Sequence, residues 1–184
     1  MTLDKHTIIA LVEDKPGVLT RVASMFRRRG FNIANLAVGR SEMPGLSRMT
    51  FEVRGNGNDV EQVTKQLFKL IDVVKVSDIT KEETVARELA LIKVKAPVYS
   101  RSEIIQMVDI FRATIVDVAS DSLIIEVTGD ENKIDSIFNL LKPFGVKEMM
   151  RTGRVAMLRG MTGSQNNGTQ SLQAVTDVAI EEED

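Results

Sequence analysis

From His6 to Glu13 the chain reads as a strand, carried by Thr7, Ile8, Ile9, Ala10, Leu11 and Val12. Asp14-Lys15-Pro16-Gly17 then reads as a helix start, with Pro16 in the first turn, where its missing amide hydrogen leaves nothing unsatisfied. Val18, Leu19, Val22, Ala23, Met25 and Phe26 recur at helical spacing. Arg27, Arg28 and Arg29 fall in the last turn, where cations favour the helix dipole, and Gly30 stops the helix. Two strands follow, Phe31 to Arg40 and Ser47 to Arg54, turning at Met43-Pro44-Gly45. After a break at Gly55 to Gly57, Val60, Val63, Leu67 and Leu70 mark an amphipathic helix. Val73, Val74 and Val76 supply a closing strand that ends near Ile79. The order is βαββαβ.

The second half repeats that order. Leu89 to Val94 is a strand; Ile104, Ile105, Val108 and Phe111 form a helical stripe behind Ser102, a candidate cap. Thr114 to Ala119 and Leu123 to Thr128 alternate as a hairpin around Ser120-Asp121-Ser122. Ile134, Ile137 and Leu141 repeat the spacing of Val60, Val63 and Leu67 at an offset of about 74 residues. Val146 to Leu158 supplies the closing strand, bent at Gly153. The expected fold is α+β, two ferredoxin-like sandwiches over residues 1–80 and 81–160. Lys81-Glu82-Glu83-Thr84 joins them, either as a short linker or as part of a shared strand.

Composition narrows the function. Apolar residues make up 43% of the 184, enough for ordinary globular cores. The formal net charge is −2, from 24 basic and 26 acidic residues, a poor match to a nucleic-acid backbone. There is no Cys, which excludes disulfides and thiolate metal sites, and a single His, His6, placed near the surface at a strand start. No stretch approaches the roughly 18 apolar residues of a membrane span, and the N-terminus lacks a signal-peptide core. A cytoplasmic protein that binds neither nucleic acid nor membrane is expected. Residues 161–184 change character, from Gly163-Ser164-Gln165-Asn166-Asn167-Gly168 to Glu181-Glu182-Glu183-Asp184. Such a segment buries little and repels itself, so an acidic, disordered tail is expected.

Ferredoxin-like units serve many functions, so function has to come from a site. The first candidate is Glu13-Asp14-Lys15-Pro16-Gly17-Val18-Leu19. The amides of Gly17, Val18 and Leu19 fall in a first helical turn, where donors lack internal partners and the dipole is positive. Together they suit a small carboxylate, Gly17 allows a close approach, and Asp14 accepts from an ammonium group. The plainer reading is a helix start capped by Asp14, with nothing bound. The second candidate is Asn32, opening a strand that lies at a sheet edge in a βαββαβ unit. Its amide donates and accepts at once, which suits a zwitterion, or it simply completes the turn after Gly30.

The Asp14-to-Leu19 run resembles the effector loop of ACT domains. Arg28-Arg29-Gly30-Phe31-Asn32-Ile33, then Leu36, Val38, Gly39 and Pro44-Gly45-Leu46-Ser47-Arg48-Met49-Thr50, is similar to small subunits of acetolactate synthase (acetohydroxyacid synthase). Asp72-Val73-Val74-Lys75-Val76, Arg87-Glu88-Leu89-Ala90-Leu91-Ile92-Lys93-Val94 and Phe111-Arg112 continue the likeness, which spans about Thr7 to Gly160. The resemblance implies an ACT domain followed by an ACT-like C-terminal domain. It implies a homodimer that associates with the catalytic (large) subunit, stimulates it and confers feedback inhibition by a branched-chain amino acid, usually valine. Thiamine diphosphate and magnesium are expected in that catalytic subunit and no cofactor in this chain. Effectors of the family lie between paired ACT domains, which implies a site at Asp14, Lys15, Pro16, Gly17, Val18, Leu19, Asn32, Ile33, Leu36 and Gly39. The family loop often carries Asn where this chain has Asp14; a carboxylate there repels a ligand carboxylate and favours its ammonium.

Competing classes fare worse. An RNA-binding sandwich displays stacking aromatics on its central strands, whereas Met49-Thr50-Phe51-Glu52-Val53 offers one. An enzyme needs a nucleophile, base or metal in a credible group, and Glu13, Asp14, Asp117, Ser47 and Ser102 form none by sequence. A free-standing amino-acid sensor for another enzyme is the serious alternative.

Overall fold

The structure, a computed structural model, describes residues 4–160 of the chain. The tail expected over residues 161–184 lies outside them. By contact density the chain divides into two compact units, the second formed chiefly by residues 86–156.

The first unit carries strand β1 (Asp4–Glu13), helix α1 (Val18–Arg29), strands β2 (Ile33–Arg40) and β3 (Leu46–Gly55), helix α2 (Gly57–Phe68) and strand β4 (Val73–Asp78). Its sheet runs β2-β3-β1-β4, so the β2 expected at an edge is at one. In register, Ile8 faces Phe51 and Ala10 lies between Met49 and Val76. These residues point at the helices, and Val22, Met25 and Phe26 of α1 and Val60, Val63 and Leu67 of α2 close over them, nearly all within a few per cent of complete burial. Phe26 stacks on Phe51 with ring centroids 5.3 Å apart. α2 opens with a capping box: Asn56 accepts from the Asp59 amide, and Asp59 accepts from the Asn56 amide. Asn56, inside the break read at Gly55 to Gly57, is therefore the cap of α2.

The second unit carries β5 (Thr84–Lys95), α3 (Val98–Ile110), β6 (Thr114–Val118), β7 (Ser122–Gly129), α4 (Glu131–Gly145), β8 (Val146–Arg151) and β9 (Val155–Leu158). The sheet order β6-β7-β5-β8 repeats the first unit's, with β9 also paired to β5. Ala90, Ile92 and Val94 of β5 and Leu123, Ile125 and Val127 of β7 meet Ile104 and Val108 of α3 and Ile134, Ile137 and Leu141 of α4. The six helix residues that share the 74-residue offset are all buried in their respective cores.

Four local readings need correction. The connector is neither wholly linker nor wholly strand: Thr84 opens β5, while Lys81 to Glu83 lie outside any strand. α3 starts at Val98 behind Pro97, so Ser102 sits inside the helix and caps nothing. The closing segment is two strands, because Gly153 adopts φ +85° and breaks the run between β8 and β9. His6 lies inside β1 opposite Val53, both ring nitrogens shielded and without a hydrogen-bond partner among the described residues. No described helix is long and apolar enough to cross a membrane.

Candidate functional site

β1 ends at Glu13, whose amide donates to the Asp72 carbonyl at 2.9 Å. The next amide, of Asp14, donates to the Gly45 carbonyl at 2.7 Å. Gly45 belongs to the β2–β3 turn, where Pro44 precedes a glycine at φ +74° and the Leu46 amide donates to the Met43 carbonyl at 3.2 Å. Proline followed by a positive-φ glycine is the pattern of a type II turn. The strand-to-helix turn is thus fastened on one side to the segment before β4 and on the other to the β2–β3 turn.

Beyond Asp14 the backbone reverses at Gly17, which caps α1 from the left-handed region at φ +89°, ψ −13°. Its carbonyl accepts the first helical bond, from the Arg21 amide at 3.0 Å. Pro16 therefore lies outside the first helical turn, and Asp14 does not cap: no side chain bonds the start of α1. The Val18 amide is turned back on the Lys15 carbonyl at 3.4 Å, which removes it from the expected set of free donors. The amides of Gly17, Leu19 and Thr20 have no internal acceptor among the described residues. Asp14, Lys15, Pro16, Gly17 and Leu19 are all exposed, whereas Val18 anchors the turn in the core. Lys15 pairs with Glu13 at 3.0 Å, so Asp14 is the carboxylate left facing outward.

Arg21 and Asp72 complete this end of the unit. One guanidinium nitrogen of Arg21 reaches both Asp72 carboxylate oxygens, at 2.7 and 2.6 Å. Asp72 is buried, and its carbonyl is the one that accepts from Glu13. The pair ties the first turn of α1 to the segment behind it. Sequence reasoning did not single out these partners, which stand 51 positions apart, because no local spacing links them.

The remaining expected residues are placed differently. Asn32 is exposed just before β2, beyond the far end of α1 from Gly17. At 1.5 Å per residue, the 12-residue helix separates them by roughly 18 Å. Ile33 and Leu36 are half-buried in β2, and Gly39 is exposed near its end, on the side of the β2–β3 turn. One chain therefore gathers the turn and the Gly39 end of β2, and leaves Asn32 apart.

The matching turn of the second unit is built otherwise. Pro97 caps α3 in extended conformation, and Arg101 donates to the carbonyls of Ala96, Ala119 and Ser120 at 3.0, 2.7 and 3.0 Å. A guanidinium occupies that end, and no left-handed glycine opens the backbone to a ligand.

Comparison with known proteins identifies the family. A family described as the AHAS small subunit-like ACT domain matches residues 8–75, and one described as the small subunit of acetolactate synthase matches residues 87–160. The chain is 60% identical over 156 residues to the "Probable acetolactate synthase small subunit" of Archaeoglobus fulgidus, covering 85% of this chain and 98% of that one. It is 49% identical over 163 residues to the acetolactate synthase small subunit of Mycobacterium bovis, covering 89% and 97%. The crystal structure of the acetolactate synthase small subunit from Thermotoga maritima superposes with a TM-score of 0.81 at 46% identity, covering 86% and 99%. The two ferredoxin-type units, the glycine-capped turn in the first and these likenesses together place the chain in the family of acetolactate synthase small subunits.

Proposed function

We propose that this chain regulates an acetolactate synthase catalytic subunit: it binds that subunit, raises its activity and makes it sensitive to a branched-chain amino acid, with valine the expected effector. The observation that carries the reading is the exposed turn from Asp14 to Leu19. Left-handed Gly17 presents free amides beside the start of a helix dipole, and a carboxylate stands next to them. Such a turn suits an amino-acid zwitterion: the ligand carboxylate faces the amides of Gly17, Leu19 and Thr20, and its ammonium approaches Asp14. Val18, counted among the donors by sequence, acts here through its buried side chain.

The turn is open, so the effector needs a second wall, and a second copy of the chain supplies it. Among the described residues β2 is an edge strand of its sheet, with Val38 47% exposed. Two β2 edges meeting antiparallel about Leu36 bring the partner's Asn32 opposite Arg40, near the Gly39 end that adjoins the turn. This pairing resolves the roughly 18 Å gap: the amide that one chain holds away from its own turn serves the turn of the other. Ile33 and Leu36 then form the apolar wall for the ligand side chain.

The test is reconstitution. The purified chain alone is expected to form no acetolactate; added to the catalytic subunit of the same organism, it is expected to raise the rate and render it inhibitable by valine. A catalytic subunit whose rate and valine response are unaltered by the chain would refute the proposal.

A further inference from the structure

We infer that the C-terminal end of α2, with the last turn of α1 beside it, is a docking surface for the catalytic subunit, and that its counterpart is apolar at the centre and acidic at the rim. The inference rests on the regulatory reading above and adds the face through which it acts.

Two large apolar side chains stand exposed at this end of the first unit: Phe68 at 65% and Ile71 at 90%. An aromatic left that open forfeits the burial that makes it worth carrying. Phe68 lines a hollow of about 430 Å³ with Gln62, Lys65, Lys69 and Val76, the last from β4, which is an edge strand of its sheet among the described residues. A second hollow, of about 380 Å³, lies between α1 and α2, lined by Arg28, Arg29, Gln66 and Lys69 over Met25 and Leu70. Gln66 and Lys69 belong to both, so the hollows form one continuous face.

The charge on this face selects its occupant. Among the described residues, Arg28 and Lys69 have no acidic partner, and Arg29 donates only to the neutral Gln66 amide oxygen, at 3.1 Å. Lys65 alone is neutralised, by Glu61. Exposed Phe68 on a face shared with Arg28 and Arg29, with exposed Ile71 one residue past Leu70 at its border, matches the make-up of protein–protein interface centres, where aromatic residues and Arg are enriched. A second copy would bring the same cations against themselves. A partner with a ring of carboxylates around an apolar pocket would satisfy both features.

The face also touches the effector end of the unit. Ile71 is followed by Asp72, whose carboxylate is held by Arg21 in α1 and whose carbonyl holds Glu13, next to Asp14. A change at the turn therefore reaches the docking face through a single fastened residue. A partner seated there senses whether the turn is occupied, which meets the requirement that an effector bind two states unequally.

Binding of the full chain to the catalytic subunit, measured by biolayer interferometry at two salt concentrations, tests the inference. Two variants are compared with the parent: Phe68→Ser/Ile71→Ser and Arg28→Glu/Lys69→Glu. All four side chains are exposed, and circular dichroism with light scattering checks fold and oligomeric state. The apolar variant is expected to bind at least tenfold more weakly at either salt concentration. The charge variant is expected to weaken most at low salt, where the parent binds best. Valine binding to the free chain should persist in both. A parent that binds beside two variants of equal affinity overturns the docking face alone. Variants that lose homodimerisation but keep catalytic-subunit affinity also overturn it, assigning the face to a second copy. A parent that does not bind the catalytic subunit overturns both this inference and the regulatory reading.

Discussion

Replacing Arg21 with alanine strands a buried acid, whereas replacing Asp72 with alanine releases a cation into water, so the two halves of one ion pair are expected to cost different amounts. The Arg21 side chain is 56% exposed and that of Asp72 only 9%. Arg21→Ala leaves a shielded carboxylate without its only side-chain donor among the described residues, a loss of about 2–3 kcal/mol. Asp72→Ala lets Arg21 rehydrate, and its cost falls towards that of a partly exposed ion pair, about 1 kcal/mol. The double variant removes the stranded charge and should therefore be more stable than Arg21→Ala alone. Urea denaturation followed by far-ultraviolet circular dichroism suits the measurement, since the chain has no Trp and its single Tyr, Tyr99, lies in α3 of the other unit. Midpoints are compared at matched m-values. A double variant less stable than Arg21→Ala would refute the reasoning, because it would show Asp72 stabilising the fold without Arg21.

Asn56→Ala removes the arm of the capping box in which the Asn56 side chain accepts from the Asp59 amide and should cost about 1 kcal/mol, read as a lowered thermal midpoint; an unchanged midpoint would show that arm to be idle. Gly17→Ala places a β-carbon in the left-handed region with nothing within 4 Å of it. The loss should be pure backbone strain of about 1–2 kcal/mol, and a raised thermal midpoint would contradict the assigned φ. The Glu42 carboxyl is held below its ordinary range by a hydrogen bond to its own backbone and then by Arg48. Its contribution to the β2–β3 turn should be complete above the ordinary Glu pKa of about 4.3 and be lost as pH falls through the lower folded value. NMR titration checks this, and a folded pKa at or above the ordinary one would contradict it.

The fold was legible where the signal was local. Val60, Val63 and Leu67, and Ile134, Ile137 and Leu141, announce their helices because burying one stripe forces a helical period on the chain. Pro44-Gly45 announces its turn because proline and glycine restrict the backbone themselves. Legibility failed where position depended on something distant. Val98 and Tyr99 belong to α3 but are 85% and 87% exposed, so they add nothing to a buried stripe, and Ser102 looked like the cap. Val146 to Leu158 read as one strand because apolar residues flank Gly153 on both sides, although its left-handed backbone divides them. At the site, Gly17 was recognisable by its place after proline, but the loss of the Val18 amide to Lys15 depends on the angle at which the turn enters α1. Asn32, read from the sequence as opening the second strand, stands at the opposite end of α1 from the turn, and its part in the proposed site needs a second copy, which no local spacing shows. The Arg21–Asp72 pair follows from the antiparallel packing of α1 and α2, which no spacing rule encodes.

Valine titration of the reconstituted enzyme, with the parent chain and with Gly17→Asp, tests the central claim most directly. Asp tolerates the left-handed backbone better than most L-residues, so the added carboxylate beside the ligand carboxylate is the main change. Two like charges about 4 Å apart at a protein surface repel by roughly 1–4 kcal/mol, and each 1.4 kcal/mol is about tenfold in affinity. With every rate normalised to its own uninhibited value, the valine midpoint is expected to rise at least tenfold in Gly17→Asp. An unmoved midpoint would show that the effector does not sit at the Asp14-to-Leu19 turn.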